Sequence, residues 1–149
     1  MPINRCELFE ILEDLGLPQE DYVVAGSAPL LVHGLRESIN DVDVVARGAA
    51  WAAAAARGRV ESAPYDRVRA VFLHGGEVEV LDGWFPETLG WKVDRLIDEA
   101  DVVDGFRFLS VERTLEWKEL LGRDKDDADL RSARRDGETP AGRGRSGRQ

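Results

Sequence analysis

Two aspartates separated by one residue are the side chains in this sequence best suited to bind a metal ion. Asp41 and Asp43 alternate with Val42 and Val44, which is the pattern of a half-buried β-strand. Because side chains at i and i+2 of a strand project from the same face, about 6–7 Å apart, the two carboxylates should lie side by side. Like charges held this close repel each other, and a hard divalent cation such as Mg²⁺ relieves the repulsion.

A glycine–serine pair precedes the aspartates, at the end of a short apolar run. Residues 22–25 are predicted to form a buried strand that stops at Gly26. Ser27 is predicted to cap a helix over residues 28–35, with Pro29 near its first position. Backbone N–H groups at such a turn can bind phosphate oxygens, and glycine allows them to approach closely. The sequence therefore predicts a phosphate site beside the metal site.

A third acid is expected in the second strand of a predicted hairpin. Residues 68–73 and 77–81 are strand-like, and the paired glycines in segment 74–76 favour a tight turn between them. Glu79 lies in the middle of the second strand, on the face opposite to the flanking valines, so it is either solvated or bound to a partner such as a metal. Asp82 is predicted to end this strand and is the alternative ligand if Glu79 faces away.

The spacing of these residues resembles the motifs of the nucleotidyltransferase superfamily. The resemblance lies in Gly26-Ser27, in residues 36–43 and in residues 78–80, and it extends over roughly residues 20–131. This superfamily includes DNA polymerase β, the aminoglycoside and lincosamide nucleotidyltransferases and small prokaryotic toxin-type nucleotidyltransferases. Trp117-Lys118 and residues 121–130 are similar to a segment of small bacterial members. The implied fold is α/β (α+β), with a mixed β-sheet flanked by helices and a short helical C-terminal segment.

The same resemblance implies a reaction, namely the Mg²⁺-dependent transfer of a nucleoside monophosphate from a nucleoside triphosphate such as ATP. The acceptor would be a hydroxyl group on a small molecule, a protein or an RNA end. Asp41, Asp43 and Glu79 would be the catalytic residues and would hold two Mg²⁺ ions, while Gly26 and Ser27 would contact the triphosphate. The alternative is a non-catalytic binding module of the same fold, for example one component of a toxin–antitoxin pair.

The part of the site that would hold the acceptor is not evident from the motifs. Little chain remains after them, so the acceptor pocket is expected to be small, shared in a homodimer, or completed by a macromolecular partner. The stretch 83–91 is rich in aromatic residues and follows the Glu79 strand. Trp84 or Trp91 is predicted to line the acceptor pocket or a subunit interface, and a loop folded onto the chain's own core is an equal alternative.

Length and composition favour one soluble, cytoplasmic domain. The chain has 149 residues, of which 43% are hydrophobic, and its single cysteine, Cys6, excludes an internal disulfide. No apolar run reaches the roughly 18 residues of a membrane span, and no segment resembles a signal peptide. Residues 1–131 are predicted to form the nucleotidyltransferase-like domain.

The charge of the chain is divided unevenly. After residue 130 there are six arginines and two acids, so this end carries +4 while the rest carries −13 of the net −9. Residues 132–149 are therefore predicted to be a disordered Arg/Gly-rich tail. Contact with nucleic acid is not expected, because the field of the acidic body opposes it; the alternative is a contact made through this basic tail.

The remaining helices and strands are predicted from local patterns. A helix over residues 4–15 has an apolar stripe, and an alanine-rich helix covers residues 49–56. Residues 102–108 form a hairpin around an Asp-Gly turn, and two helices after Ser110 meet between Gly122 and Asp124.

Several basic residues could bind phosphate or could pair locally. Arg36 has two interpretations, a phosphate contact or local pairing with Glu37. Lys118 and Arg123 lie near a helix end, where cations are favourable. Asp126 and Asp129 are expected to cap the second helix and to pair with Lys125 and Arg123.

Overall fold

The computed structural model describes residues 2–63, 68–84 and 92–131. The chain divides into two compact units, Met1–Val111 and Glu112–Gln149. Their boundary falls inside the domain predicted over residues 1–131, and the predicted tail lies outside the described residues. In the described part of the chain, no helix has both the length and the apolar character needed to cross a bilayer.

The first unit alternates helices with strands. Its helices are α1 (Arg5–Leu15), α2 (Ala28–Val32), α3 (Gly48–Ala55) and α4 (Val93–Asp98), and its strands are β1 (Tyr22–Ala25), β2 (Val42–Ala46), β3 (Glu61–Ser62), β4 (Arg69–Leu73), β5 (Val78–Leu81), β6 (Asp101–Val103) and β7 (Phe106–Phe108). The strands form one sheet in the order β3-β4-β5-β2-β1-β7-β6. Pairing is parallel between β2 and β5 and between β1 and β7, and antiparallel elsewhere. The predicted mixed sheet flanked by helices is confirmed.

One face of the sheet carries the main hydrophobic core. Alternate strand residues are buried there together with residues of α1, α2 and α3; the strand residues include Val24, Val42, Val44, Val78 and Val80. Side chains of the other parity, such as Val23, Val45 and Leu81, are also buried. The second face of the sheet is therefore covered at these positions as well.

The N-terminal helix follows its sequence signals closely. Asn4 and Glu7 form a reciprocal capping box, and Gly16 ends the helix in the left-handed conformation at φ 59°. The predicted apolar stripe, formed by Leu8, Ile11, Leu12 and Leu15, is buried. This predicted helix is confirmed, because every signal that defines it is local.

Both predicted hairpins are present. Asp104 and Gly105 join β6 and β7 with φ values of 51° and 86°, which match a type I′ turn. The segment His74–Gly76 joins β4 and β5 as a tight turn in which all three residues have positive φ. The second hairpin sets the pairing that brings β4 beside the Glu79 strand.

The second unit contains all but the first residue of α5 (Val111–Leu121) and a short helical segment after it. Gly122 has a φ of 61° and follows α5, consistent with a helix terminator. A 3₁₀ turn over Asp124–Asp126 leads into helical residues 127–131. The predicted break between two helices near Gly122 and Asp124 is confirmed.

Candidate functional site

Four neighbouring strands each place one residue in a row across the sheet. Ala25 of β1 is paired with Asp43 of β2, Asp43 with Glu79 of β5, and Glu79 with Phe72 of β4. Residues paired in this way project from the same face of a sheet. That face is opposite the main core, because Val44, next to Asp43, belongs to the core. The structure thus brings Asp43 and Glu79 together from strands far apart in sequence.

Asp41 lies just before β2 and is exposed. The alternating pattern predicts that it belongs to the strand, but β2 begins at Val42, whose N–H donates to the Glu77 carbonyl at 2.8 Å. The charge of Asp41 nevertheless reaches Glu79. Burial first, and then the negative charge of Asp41, raise the pKa of Glu79. Asp41 is therefore electrostatically coupled to Glu79, which together with Asp43 forms the carboxylate row of this site.

The donor atoms of this site suit magnesium, although no closed metal cage is formed. Within the three described ranges, neither Asp41 nor Glu79 has a hydrogen-bond or ion-pair partner, and no three His, Cys, Asp or Glu side chains are grouped so that they could hold a metal ion. Mg²⁺ commonly takes only one or two protein carboxylates and completes its shell with phosphate and water oxygens. Asp43 and Glu79, with Asp41 beside them, fit that requirement.

Gly26 is in close contact with the Asp43 carboxylate. A Cβ atom at Gly26 would collide with Asp43 Oδ2 and would lie 3.2 Å from its Cγ. Gly26 also has a φ of +65°, a conformation that favours glycine. A glycine is therefore required here for two independent reasons, and the turn lies directly against the carboxylate row.

Ser27 has a different partner from the one that its sequence position predicts. It is the N-cap residue of α2, but its side chain makes no capping hydrogen bond, so the predicted cap is wrong in that respect. Instead, Arg36 Nη1 donates to Ser27 Oγ at 3.4 Å, while Arg36 Nε donates to the Ser38 carbonyl at 3.1 Å. Helix α2 ends at Val32, before the predicted residue 35, and the following chain brings Arg36 back to the turn.

Asp82 and Trp84 do not take the roles that the sequence left open for them, a metal ligand and a residue lining the acceptor pocket. Asp82 ends β5 as predicted and accepts hydrogen bonds from the Arg69 backbone N–H and Nε, both at 2.7 Å. Trp84 is only 1% exposed, so it lies in the protein interior and does not line an open pocket. Trp91, the other predicted candidate, lies outside the described residues.

The second unit holds a buried ion cluster. Lys118 is 1% exposed, and its Nζ lies 2.7 Å from Asp126 Oδ1 and 3.1 Å from Asp129 Oδ2. Arg123 Nε donates to Asp126 Oδ2 at 2.7 Å. Burial alone would raise the pKa of Asp126, but the hydrogen bonds from Arg123 and Lys118 outweigh it and lower the pKa.

The sequence predicted only part of this cluster. The pairing of Asp126 with Arg123 is confirmed. Lys125, the other predicted partner, is exposed, and Lys118 pairs with Asp126 instead. Helix periodicity gives a weak signal for the burial of Lys118, because Thr114, four residues earlier on α5, is buried too. The partner across the Gly122 turn cannot be read from spacing along one helix.

Comparison with known proteins supports the fold. No family model matches the chain, and no curated protein is significantly similar to it. A crystal structure of a candidate nucleotidyltransferase from Thermotoga maritima is similar, with a TM-score of 0.56 and 16% sequence identity. The match covers 90% of this chain and 96% of the Thermotoga chain. At this identity the similarity shows a shared fold.

Proposed function

We propose that this protein transfers a nucleoside monophosphate from a nucleoside triphosphate to a hydroxyl acceptor. The observation that carries the proposal is the pairing of Asp43 with Glu79, with the Gly26 turn packed against Asp43. Nucleotidyl transfer depends on positioning and charge stabilisation far more than on covalent chemistry by the protein. A phosphate-binding turn in contact with a row of carboxylates supplies both. The shared fold with a candidate nucleotidyltransferase agrees with this function.

Each residue of the site has a defined role in the proposed reaction. Asp41, Asp43 and Glu79 would hold Mg²⁺, which when bound neutralises the triphosphate and activates the attacking hydroxyl. Gly26 and Ser27 would contact the triphosphate through backbone N–H groups. The acceptor oxygen would form a bond to the α-phosphorus while the bond to pyrophosphate breaks, the pyrophosphate leaves, and the proton of the acceptor hydroxyl passes to solvent.

The carboxylates also explain why the site would need its ligand. Glu79 is half-buried and next to another acid, and these two causes raise its pKa. No described cation pairs with Glu79 or Asp41. A bound divalent cation would therefore relieve an electrostatic penalty that the protein alone leaves in place.

A second candidate function is a binding module of the same fold, for example one component of a toxin–antitoxin pair. It is favoured by the lack, among the described residues, of three metal-ligating side chains grouped around one point. Such a module would bind a partner or a nucleotide without transferring it. The acceptor of the enzyme, or the partner of the module, could complete the site in a homodimer or in a complex with another protein.

The test combines binding with transfer. Mg²⁺ and ATP together should raise the melting temperature of the wild-type chain, since ligand at about 100 times Kd adds roughly 2.7 kcal/mol of stability. Asp43→Asn should abolish this shift, while Asp98→Asn, at an exposed position of α4, should keep it. Transfer of label from the α-phosphate of ATP to hydroxyl acceptors would establish the enzyme. A shift without any transfer favours the binding module, and an unchanged shift in Asp43→Asn contradicts the metal site of the proposed enzyme.

A further inference from the structure

We propose that Phe72 positions the acceptor by contact with a planar ring, so that the acceptor is an uncharged hydroxyl compound that carries such a ring. This inference rests on the proposed function and names the class of its second substrate. It starts from strand pairing, because Phe72 of β4 lies directly opposite Glu79 of β5. Residues opposite each other in an antiparallel pair have Cβ atoms about 4.5–5.5 Å apart. A ring in contact with Phe72 therefore lies next to a proposed metal ligand.

Exposure increases along the row of paired residues and is greatest at Phe72. Ala25 is fully buried, Asp43 and Glu79 are half-buried, and 49% of Phe72 is exposed. In the part of the chain that the structure describes, Phe72 is the one exposed aromatic residue. Within that part, its ring contacts neither another ring nor a cation. The ring is therefore accessible to a ligand on the same face of the sheet as the carboxylate row.

The structure of β4 does not itself require a phenylalanine at this position. Val71 and Leu73 belong to the core, so alternation puts residue 72 on the opposite face, where a polar side chain is the usual choice. Isolated exposed apolar residues are common in proteins, as with Val102 of the edge strand β6, which is 62% exposed. Phe72 differs from Val102 in its position, since it lies beside a half-buried carboxylate.

The order of strands puts Phe72 on the acceptor side of the proposed reaction. The Gly26 turn follows β1, Phe72 belongs to β4, and the strands of Asp43 and Glu79 lie between them. In an in-line transfer, the acceptor oxygen and the leaving pyrophosphate lie on opposite sides of the α-phosphorus. If the triphosphate contacts the Gly26 turn, the acceptor approaches from the β4 side.

The chemistry of this end of the row favours a flat and uncharged acceptor. Contact between two aromatic rings adds a factor of about 2 to 12 in affinity beyond the burial of their surface. An anionic acceptor is disfavoured, because the chain before residue 131 carries a charge of −13. A ring-bearing alcohol meets both conditions, whereas the end of a nucleic acid meets only the first.

The experiment uses the full-length chain saturated with Mg²⁺ and the α,β-methylene analogue of ATP, which cannot release pyrophosphate. Nuclear magnetic resonance titration measures the affinity of this complex for phenethyl alcohol, for cyclohexylethanol and for the dinucleotide ApA. Phe72→Leu removes the ring, Phe72→Tyr keeps it, and Val102→Ser is the control at another exposed apolar residue.

The wild type should bind phenethyl alcohol about threefold or more tightly than cyclohexylethanol, which is similar in size but not planar. Phe72→Leu should abolish this preference, while Phe72→Tyr and Val102→Ser should keep it. Affinity for the ATP analogue should stay within about twofold in all variants, because the triphosphate is proposed to bind at the other end of the row. A purely structural role of Phe72 would change the melting temperature and leave the preference between the two alcohols unaltered.

Four results would overturn the inference. If the wild type shows no preference between the alcohols, or if Phe72→Leu retains it, the role of Phe72 is overturned and the proposed function stands. If Phe72→Leu weakens the ATP analogue and not phenethyl alcohol, the ring contacts the nucleotide and not the acceptor. Tighter binding of ApA than of phenethyl alcohol overturns the uncharged acceptor. If the wild type does not bind the ATP analogue with Mg²⁺, the proposed function fails and this inference fails with it.

A second measurement covers the case in which Phe72→Leu does not fold. Mn²⁺ replaces Mg²⁺ in the wild-type complex, and the relaxation of the ring protons of phenethyl alcohol is recorded. A ring held beside Glu79 lies close to a metal ion bound by the carboxylate row, so its protons should relax much faster with Mn²⁺ than with Mg²⁺. Equal relaxation with the two ions would overturn the position of the acceptor.

Discussion

Acidic side chains occur in two contrasting arrangements in this protein. In the first unit, Glu79 is half-buried near Asp41, and burial together with that neighbouring charge raises its pKa. In the second unit, Asp126 is almost fully buried, yet hydrogen bonds from Arg123 and Lys118 outweigh burial and lower its pKa. The same chemical group is therefore disfavoured as an anion at one place and favoured at the other.

The difference lies in the cations that each arrangement has among the described residues. The cluster around Lys118 supplies its own cations, so the charges of its buried carboxylates are compensated within the second unit. Among the described residues, Asp41 and Glu79 have no such partners. Carboxylates with pKa values perturbed in this way cluster at functional sites in proteins.

The largest effect should come from breaking the complete cluster. Lys118→Met removes a buried cation and leaves Asp129 buried without its 3.1 Å partner, so we expect a loss of about 3–5 kcal/mol in the free energy of unfolding. Urea denaturation followed by circular dichroism measures it. Lys125→Met, at an exposed lysine nearby, should change stability by less than about 0.5 kcal/mol. A loss in Lys118→Met no larger than in that control would show that the cluster is not stabilising.

The next effect concerns the contact between the Gly26 turn and the carboxylate row. Gly26→Ala and Gly34→Ala both place a side chain at positive φ, which costs about 1–2 kcal/mol. Only the first also collides with Asp43, because nothing lies within 4 Å of a Cβ at Gly34. Gly26→Ala should therefore cost at least about 1 kcal/mol more. Equal losses in the two variants, measured by the same denaturation, would remove the close approach from the description of the site.

The third effect is the pH dependence of stability that Glu79 should contribute. The folded protein binds the Glu79 proton more tightly than the unfolded chain does, because the pKa of Glu79 is raised on folding. The stability linked to this group is thus fully present below its unfolded pKa of about 4.3 and is lost as the pH rises through the higher folded pKa.

Glu79→Gln should remove this component, so the variant should gain stability relative to the wild type as the pH rises through that window. Asp41→Asn should gain less stability than Glu79→Gln over the same pH range. It removes only the charge of Asp41, and burial, the larger cause of the raised pKa of Glu79, remains. Melting temperatures measured between about pH 3.5 and 7 give the comparison. A Glu79→Gln difference that is constant across this range would contradict the raised pKa.

The smallest effect tests whether the Ser27 hydroxyl belongs to the scaffold or to the site. Asn4→Ala breaks the capping box of α1 and should cost about 1 kcal/mol. Ser27→Ala removes no helix cap, so the ligand-free protein should lose less than about 0.5 kcal/mol. Thermal unfolding of both variants decides this. A loss at Ser27 as large as that at Asn4 would make its hydroxyl a structural group.

The correct sequence predictions share a local cause. The helix that begins after Asn4, the Asp104-Gly105 turn and the strand that stops at Gly26 are each defined by residues within one turn or one strand of each other. Capping, glycine conformations and alternation act over such distances. The predicted cap at Ser27 is the exception, because its hydroxyl accepts a hydrogen bond from Arg36, nine residues further along the chain.

The errors and omissions arise where a partner lies beyond that range. Lys118 reaches Asp126 and Asp129 across the Gly122 turn, and the local pairing rule assigned Lys125 instead. Asp41 was placed within β2 by alternation, although pairing of that strand begins at Val42. A pattern shows which face a residue prefers, whereas hydrogen bonding to the neighbouring strand decides where the strand begins.

The sequence by itself determined which residues could carry chemistry: the Gly26 turn, the spaced aspartates and an acid in the middle of a strand. These features can be identified because residue types and the alternation of polar and apolar residues are properties of short sequence segments. Only the tertiary structure decided that Asp43 pairs with Glu79 and that Arg36 reaches Ser27. The register of β2 against β5 depends on the order of strands in the sheet. That order follows from how the whole core packs, and no short segment encodes it.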